Sequence, residues 1–154
     1  PDGVSWEQVP GDVGEARTAW RAAVAAELAG CLKGGLDAVV RHVSERHQFG
    51  RPLGSFQAIQ HRLAQAATKI DAAYWLALRA AQRRTPEDAA LALGYVQEAS
   101  ARIVQDLHQF MGAMGLTLEH PLHRWTYRAR LLRAGLGGPT ANLRELFARK
   151  WTAA

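Results

Sequence analysis

From Asp12 onward the apolar residues recur at every third or fourth position and never settle into clean alternation. That pattern removes most folds, because it puts the apolar faces on helices, and a helix with one apolar face must bury it against another element. Val24, Leu28, Cys31 or Leu32, Leu36, Val39 and Val43 mark one such face, on a helix predicted over about Val13 to His47. Alanine, the strongest helix former, supplies roughly a fifth of the chain. The exception is Val4-Ser5-Trp6-Glu7-Gln8-Val9, which alternates and then stops at Pro10-Gly11-Asp12. It reads as a residual strand whose pairing partners lie elsewhere, since a lone strand is unstable. Residues 1–11 are therefore set apart from a helical domain over 12–154.

Helix-breaking segments divide that domain. Phe49-Gly50-Arg51-Pro52-Leu53-Gly54 ends the first helix. Ser55 is the expected cap of a second, whose face is Phe56, Ile59, Leu63, Ala66, Ile70, Tyr74 and Ala77 and which stops near Arg83-Arg84. Thr85-Pro86-Glu87-Asp88 combines a capping hydroxyl, proline at the first helical position and acids in the first turn, so a third helix starts there and runs to about Met111. A fourth is predicted from near Pro121 to Gly135. Gly137-Gly138-Pro139 then precede a short fifth helix carrying Leu143, Leu146 and Phe147. Long helices joined by short loops predict an all-α fold: an antiparallel four-helix bundle plus a short C-terminal helix, with the residual N-terminal strand.

Composition narrows the function. The 154 residues suit one domain. The net charge of +5 is spread along the chain without a recognisable nucleic-acid module, so no nucleic-acid partner is expected. No apolar run reaches the length of a membrane span. Cys31 is the only cysteine, which excludes an intrachain disulfide; it is expected to be a buried structural thiol, in keeping with a reducing cytoplasm. His120 and His123 stand three apart beside Glu119, but a zinc site needs a third or fourth ligand, and they read as helix-terminal polar residues; no metal is expected.

Two segments offer more specific chemistry. Glu45-Arg46-His47-Gln48-Phe49-Gly50-Arg51-Pro52-Leu53-Gly54-Ser55-Phe56-Gln57-Ala58-Ile59-Gln60-His61-Arg62-Leu63-Ala64 sets an arginine, two glutamines and a glycine-containing loop around one helix–helix corner, a combination able to grip a phosphate. Gln109-Phe110-Met111-Gly112-Ala113-Met114-Gly115-Leu116-Thr117-Leu118-Glu119-His120-Pro121-Leu122 places an amide beside glycines that let a ligand approach the backbone closely. Each pattern also occurs as a plain turn.

Both segments resemble the acyl-CoA dehydrogenase family, flavoproteins that oxidise the Cα–Cβ bond of acyl-CoA thioesters. The first is similar to its Arg-x-x-Phe-Gly-x-x-(Leu/Ile)-x-x-(Phe/His)-Gln motif. The second is similar to Gln-x-x-Gly-Gly-x-Gly-(Phe/Leu)-Thr-x-Glu-x-Pro-Leu. Order and separation agree from about Val13 to Lys150. The resemblance implies the C-terminal helical domain of a three-domain subunit, with Val4 to Val9 as the tail of the middle β-domain. It implies FAD held across a subunit interface, homo- or hetero-oligomers built through the bundle as dimers of dimers, an acyl-CoA substrate and an electron-acceptor flavoprotein as partner. By the same resemblance Arg46 contacts the FAD pyrophosphate of a neighbouring subunit, with Gln48 and Phe49 beside it. Gln57 reaches the adenine end, and Gln109 and Gly112 line the adenosine and pyrophosphate path. Ala113 stands where a second glycine is usual. Thr140 and Asn142 resemble flavin-contacting positions.

The catalytic base departs from the pattern. Where the family's glutamate is expected, this chain has Gly138, and no acid occurs between Glu119 and Glu145. The alternative family position on the first helix falls near Trp20-Arg21, again without an acid, leaving Glu15 as a weak candidate and Glu27 as a structural or intrahelical partner. Two expectations follow. One is an active acyl-CoA dehydrogenase whose base lies elsewhere or comes from a partner, as in the glutamate-lacking subunit of a heteromer acting on bulky acyl-CoAs, steroid side-chain thioesters among them. The other is a non-catalytic scaffold or assembly subunit derived from the family. Either way, the isolated domain is expected to be inactive.

Overall fold

A computed structural model of the chain describes residues 11–151. Five helices carry the fold: α1 (Val13–Glu45), α2 (Gln57–Arg83), α3 (Pro86–Met111), α4 (Leu122–Ala134) and α5 (Gly138–Trp151). Two-residue strands β1 (His47–Gln48) and β2 (Arg51–Pro52) form an antiparallel hairpin between α1 and α2. The alternating strand expected at Val4 to Val9 lies outside the described residues. The architecture is the expected antiparallel bundle with an added C-terminal helix.

The periodic faces explain the packing. Leu28, Leu32, Leu36, Val39 and Val43 of α1 are buried, as are Leu63, Ala66, Ile70 and Ala77 of α2. α1, about 50 Å long, packs on α2, α3 and α4, while α3 also carries α5 on its outer side. Alanines make this close: Ala89, Ala90 and Ala92 of α3 are fully buried. Trp125 of α4 lies against α1, where a Cβ at Gly34 would come within 2.6 Å of its Nε1, so only glycine admits the indole.

The helix ends follow local chemistry. Asp12 caps α1 by accepting the Gly14 N–H at 2.7 Å, and Thr85 caps α3 by accepting the Asp88 N–H at 3.2 Å. Four expectations are corrected. α1 stops at Glu45 rather than His47, because Arg46 turns extended and His47 enters the hairpin. Ser55 does not cap α2: it lies in a 3-10 turn (Leu53–Ser55), where its hydroxyl donates back to the Pro52 carbonyl, and Phe56 takes the cap position without a side-chain bond. Tyr74, placed on the core face by periodicity, is half exposed. Cys31 is only partly buried, beside Glu27 and Arg128.

A buried polar seam fixes the chain between α4 and α5. The Gln97 amide donates to the carbonyls of Leu132 and Gly135, both at 2.9 Å. Asn142 donates to Gln97 Oε1 at 3.0 Å and to the carbonyls of Leu136 and Gly138 at 3.3 and 2.8 Å. Buried carbonyls of an irregular turn are thereby satisfied.

Candidate functional site

The hairpin and the end of α3 lie at the same end of the bundle, since α1 and α3 both run toward it. Arg46 begins the hairpin: its N–H donates to the His42 carbonyl and its own carbonyl accepts from Leu53. Phe49 and Gly50 form the turn, with φ of 57° and 78°, the pair of left-handed residues that a two-residue hairpin requires. Phe49 is therefore a bulky residue in a costly conformation and 89% exposed, a combination found where a surface awaits a ligand or partner. Its ring meets Phe56 edge-on, and Arg51 lies over Phe56 at 4.0 Å. The side chains of Arg46, Gln48 and Gln57 are exposed around it.

At the end of α3, Gln109 is exposed and Gly112 turns the chain at φ 64° with no atom within 4 Å of where a Cβ would lie. The backbone conformation demands glycine here, and the space beside it is open. Ala113 is exposed next to it. Gln105 and Gln109 form a ridge between two depressions. On one side a groove of about 530 Å³ brings Leu53 and Ile59 of the first motif against Gln109 and Phe110 of the second. Arg62 and Arg102 of its lining both pair with Asp106, Arg102 at 3.1 Å. On the other side a cleft of about 680 Å³ between α3 and α4 is lined by His108, Gly112, Arg130 and Arg133. Sequence reasoning missed His108, Arg130, Arg133 and Gln105. The arginines and glutamines carried one signal, a helical offset of three positions from Arg130 to Arg133 and of four from Gln105 to Gln109.

His108 is held through Nε2 by the Thr126 hydroxyl at 3.0 Å, and that hydroxyl itself donates to the Leu122 carbonyl. Burial, then the Arg130 charge, lowers the His108 pKa below the ordinary histidine value. His120 serves the fold: its Nδ1 accepts the Leu122 N–H at 3.1 Å at the start of α4, and the His123 ring nitrogen meets the His120 carbonyl at 2.9 Å. Among the described residues no three His, Cys, Asp or Glu side chains gather as a metal site.

The positions expected to meet the flavin ring lie on another flank, at the α4–α5 turn. Thr140 is exposed there. Asn142 is fully buried in the polar seam, where its Nδ2 holds the turn while its Oδ1 has no hydrogen-bond partner among the described residues. Gly138 has φ 71° and ψ −175°, a backbone state that suits glycine and would strain a glutamate in its place. Glu15 lines a cavity between α1 and α2, whereas Arg17 and Arg21 of the same helix face α5, so Glu15 points away from the turn. Glu27 is a partner across helices and not within one, tied to Arg128 at 2.6 Å, a hydrogen bond that lowers its pKa. Glu145 is gripped by the buried Arg21 at 2.9 and 2.5 Å, which brings its pKa down to about 2.

Comparison with known proteins gives a consistent answer. Residues 15–151 match the family described as acyl-CoA dehydrogenase, C-terminal domain. The chain is 35% identical over 123 residues to acyl-CoA dehydrogenase IpdE2 of Mycolicibacterium smegmatis, covering 80% of this chain and 40% of that protein. A glutaryl-coenzyme A dehydrogenase in complex with glutaryl-CoA superposes with a TM-score of 0.86 at 27% identity, over 92% of this chain and 38% of that one. The ChsE4–ChsE5 complex from Mycobacterium tuberculosis superposes with a TM-score of 0.78 at 30% identity, over 92% and 39%. The chain thus spans about two fifths of the length of these relatives.

Proposed function

The chain belongs to the acyl-CoA dehydrogenase family, as its C-terminal helical domain, and on that premise we propose that it supplies the FAD-binding and assembly surface of a flavoprotein that dehydrogenates acyl-CoA thioesters at Cα–Cβ. The family is FAD-dependent. The observation that carries the reading is the groove in which Leu53 and Ile59 meet Gln109 and Phe110: residues 50 to 57 positions apart in the two segments build one surface. The residues present fit a dinucleotide. Amides at Gln105 and Gln109 suit a base or ribose, and the open backbone at Gly112 suits close approach of a phosphate. No acid lines the cleft on the α4 side of the Gln105–Gln109 ridge, so the field there favours an anion. Arg46, Gln48, Phe49 and Gln57 would hold the cofactor of a neighbouring subunit, Gln109, Gly112 and Ala113 its adenosine and diphosphate, and Thr140 the flavin end of the chain's own site. When bound, FAD supplies the hydride acceptor.

Among the described residues we find no carboxylate placed as the base. Gly138 stands at the family's glutamate position in a backbone state that suits glycine, Glu145 is tied to Arg21 and acidified far from the pKa that α-proton abstraction needs, and Glu15 faces α2. This favours the non-catalytic half of a heteromer on bulky acyl-CoAs, and the ChsE4–ChsE5 neighbour is itself a two-component assembly. A cytoplasmic setting and a dimer of dimers belong to this reading. The exposed Tyr74, Trp75 and Leu78 of α2 form an apolar surface suited to a second subunit. Two experiments test it. Arg46→Gln in the full-length protein should lower retained flavin; unchanged flavin content would remove Arg46 from the site. Sedimentation of this chain at micromolar concentration should show self-association; a strict monomer would count against the assembly role.

A further inference from the structure

The α4 side of the cleft carries two guanidiniums that the fold leaves uncompensated. Arg128 is tied to Glu27 across the helices. Arg130 and Arg133, one helical turn apart and therefore on one face, have no carboxylate partner among the described residues, and both line the cleft. Arg133 Nε is buried without an acceptor, a donor withdrawn from water that nothing among the described residues satisfies. Opposite them stand the Gln105 and Gln109 amides and the open backbone at Gly112, and no acid belongs to the lining. Like charges held together at the mouth of a concave site with an orphaned donor are the complement of a multiply charged anion.

We infer that Arg130 and Arg133 form a diphosphate clamp, reaching from α4 across the cleft to an adenosine diphosphate group laid along Gln105, Gln109 and Gly112. This rests on the dinucleotide reading and goes beyond it, because neither arginine belongs to the two motifs. Guanidinium suits such a clamp, since it stays charged at any physiological pH and presents paired N–H donors to two phosphate oxygens. His108 reports on the clamp, since its pKa is depressed partly by Arg130, and an anion bound there would offset that charge and raise it.

The test uses this chain with ADP, inorganic pyrophosphate and coenzyme A as probes, followed by calorimetry and by NMR titration of His108. ADP and pyrophosphate should both bind, more weakly as salt rises, and should raise the His108 pKa. Arg130→Gln/Arg133→Gln should weaken ADP binding about tenfold or more while leaving the helical circular dichroism unchanged. A preference for coenzyme A over ADP would keep the clamp and assign it to the substrate's diphosphate. Equal ADP binding by the double variant, with loss in Arg46→Gln, would overturn the clamp and leave the dinucleotide reading standing. Absence of binding by the unaltered chain at millimolar probe would also overturn the clamp, while flavin content of the full-length protein decides the dinucleotide reading separately.

Discussion

Removing either partner of the Arg21–Glu145 pair should destabilise the fold, and by unequal amounts. The Arg21 side chain is 1% exposed and two of its nitrogens bond Glu145, so Glu145→Ala leaves a buried guanidinium with no counter-charge. Stranding a charge in this way costs about 3–5 kcal/mol. For a domain of this size that lowers Tm by about 10 °C. Arg21→Met is milder. It leaves Glu145, 22% exposed, with Arg17 at 3.4 Å and Arg149 at 3.2 Å, and fills the space with an apolar chain of similar length. A loss of about 1–2 kcal/mol is expected there. Arg21→Met/Glu145→Leu should recover most of the larger loss. Because the folded Glu145 pKa is about 2 and its usual value 4.5, the pair's stabilisation is complete above pH 4.5 and fades as pH falls from there toward 2. The full shift corresponds to about 3 kcal/mol, which partial exposure reduces to about 2. Urea denaturation followed by circular dichroism, at pH 7 and at steps down to pH 3, measures all of this. A Glu145→Ala loss smaller than that of Arg21→Met would refute the reasoning.

Three further outcomes are expected. Gly138→Glu should lower stability by more than about 1 kcal/mol, because the new side chain occupies a left-handed backbone state; an unchanged urea midpoint would contradict that. Asn142→Ala should cost about 1–3 kcal/mol by depriving the Leu136 and Gly138 carbonyls and Gln97 of their shared donor; a neutral thermal melt would show the seam to be dispensable. Cys31, its thiol pKa raised first by burial and then by the Glu27 charge, should alkylate more slowly than a free thiol and faster in Glu27→Gln, as iodoacetamide kinetics would record.

The bundle was legible because burial follows period. Leu28, Leu32, Leu36 and Val39 could face only a core, and Thr85-Pro86 could only begin a helix. Tyr74 was misplaced because an aromatic at the edge of a stripe satisfies the same period whether it turns inward or lies on the rim. Ser55 was misread because a hydroxyl before a helix can bond backward as well as forward, and the 3-10 turn decided for Pro52. The two motifs named the site's end of the bundle, yet Arg130, Arg133 and His108 were invisible, since only folding brings α4 beside α3. Asn142 holds its own turn through Nδ2, a structural role that its register in the sequence did not announce. Arg21 and Glu145 stand 124 positions apart, and no local pattern announces such a pair.

The central claim is that this domain supplies part of a flavin site and, among its described residues, no base. Its most direct test is the flavin content of the natural full-length product, expressed with and without a neighbouring acyl-CoA dehydrogenase homologue. The account expects about one FAD per two chains, retained only on co-expression, as for a heteromer in which each site is shared between unlike subunits. Absence of flavin in both preparations would contradict it and leave a family-derived scaffold.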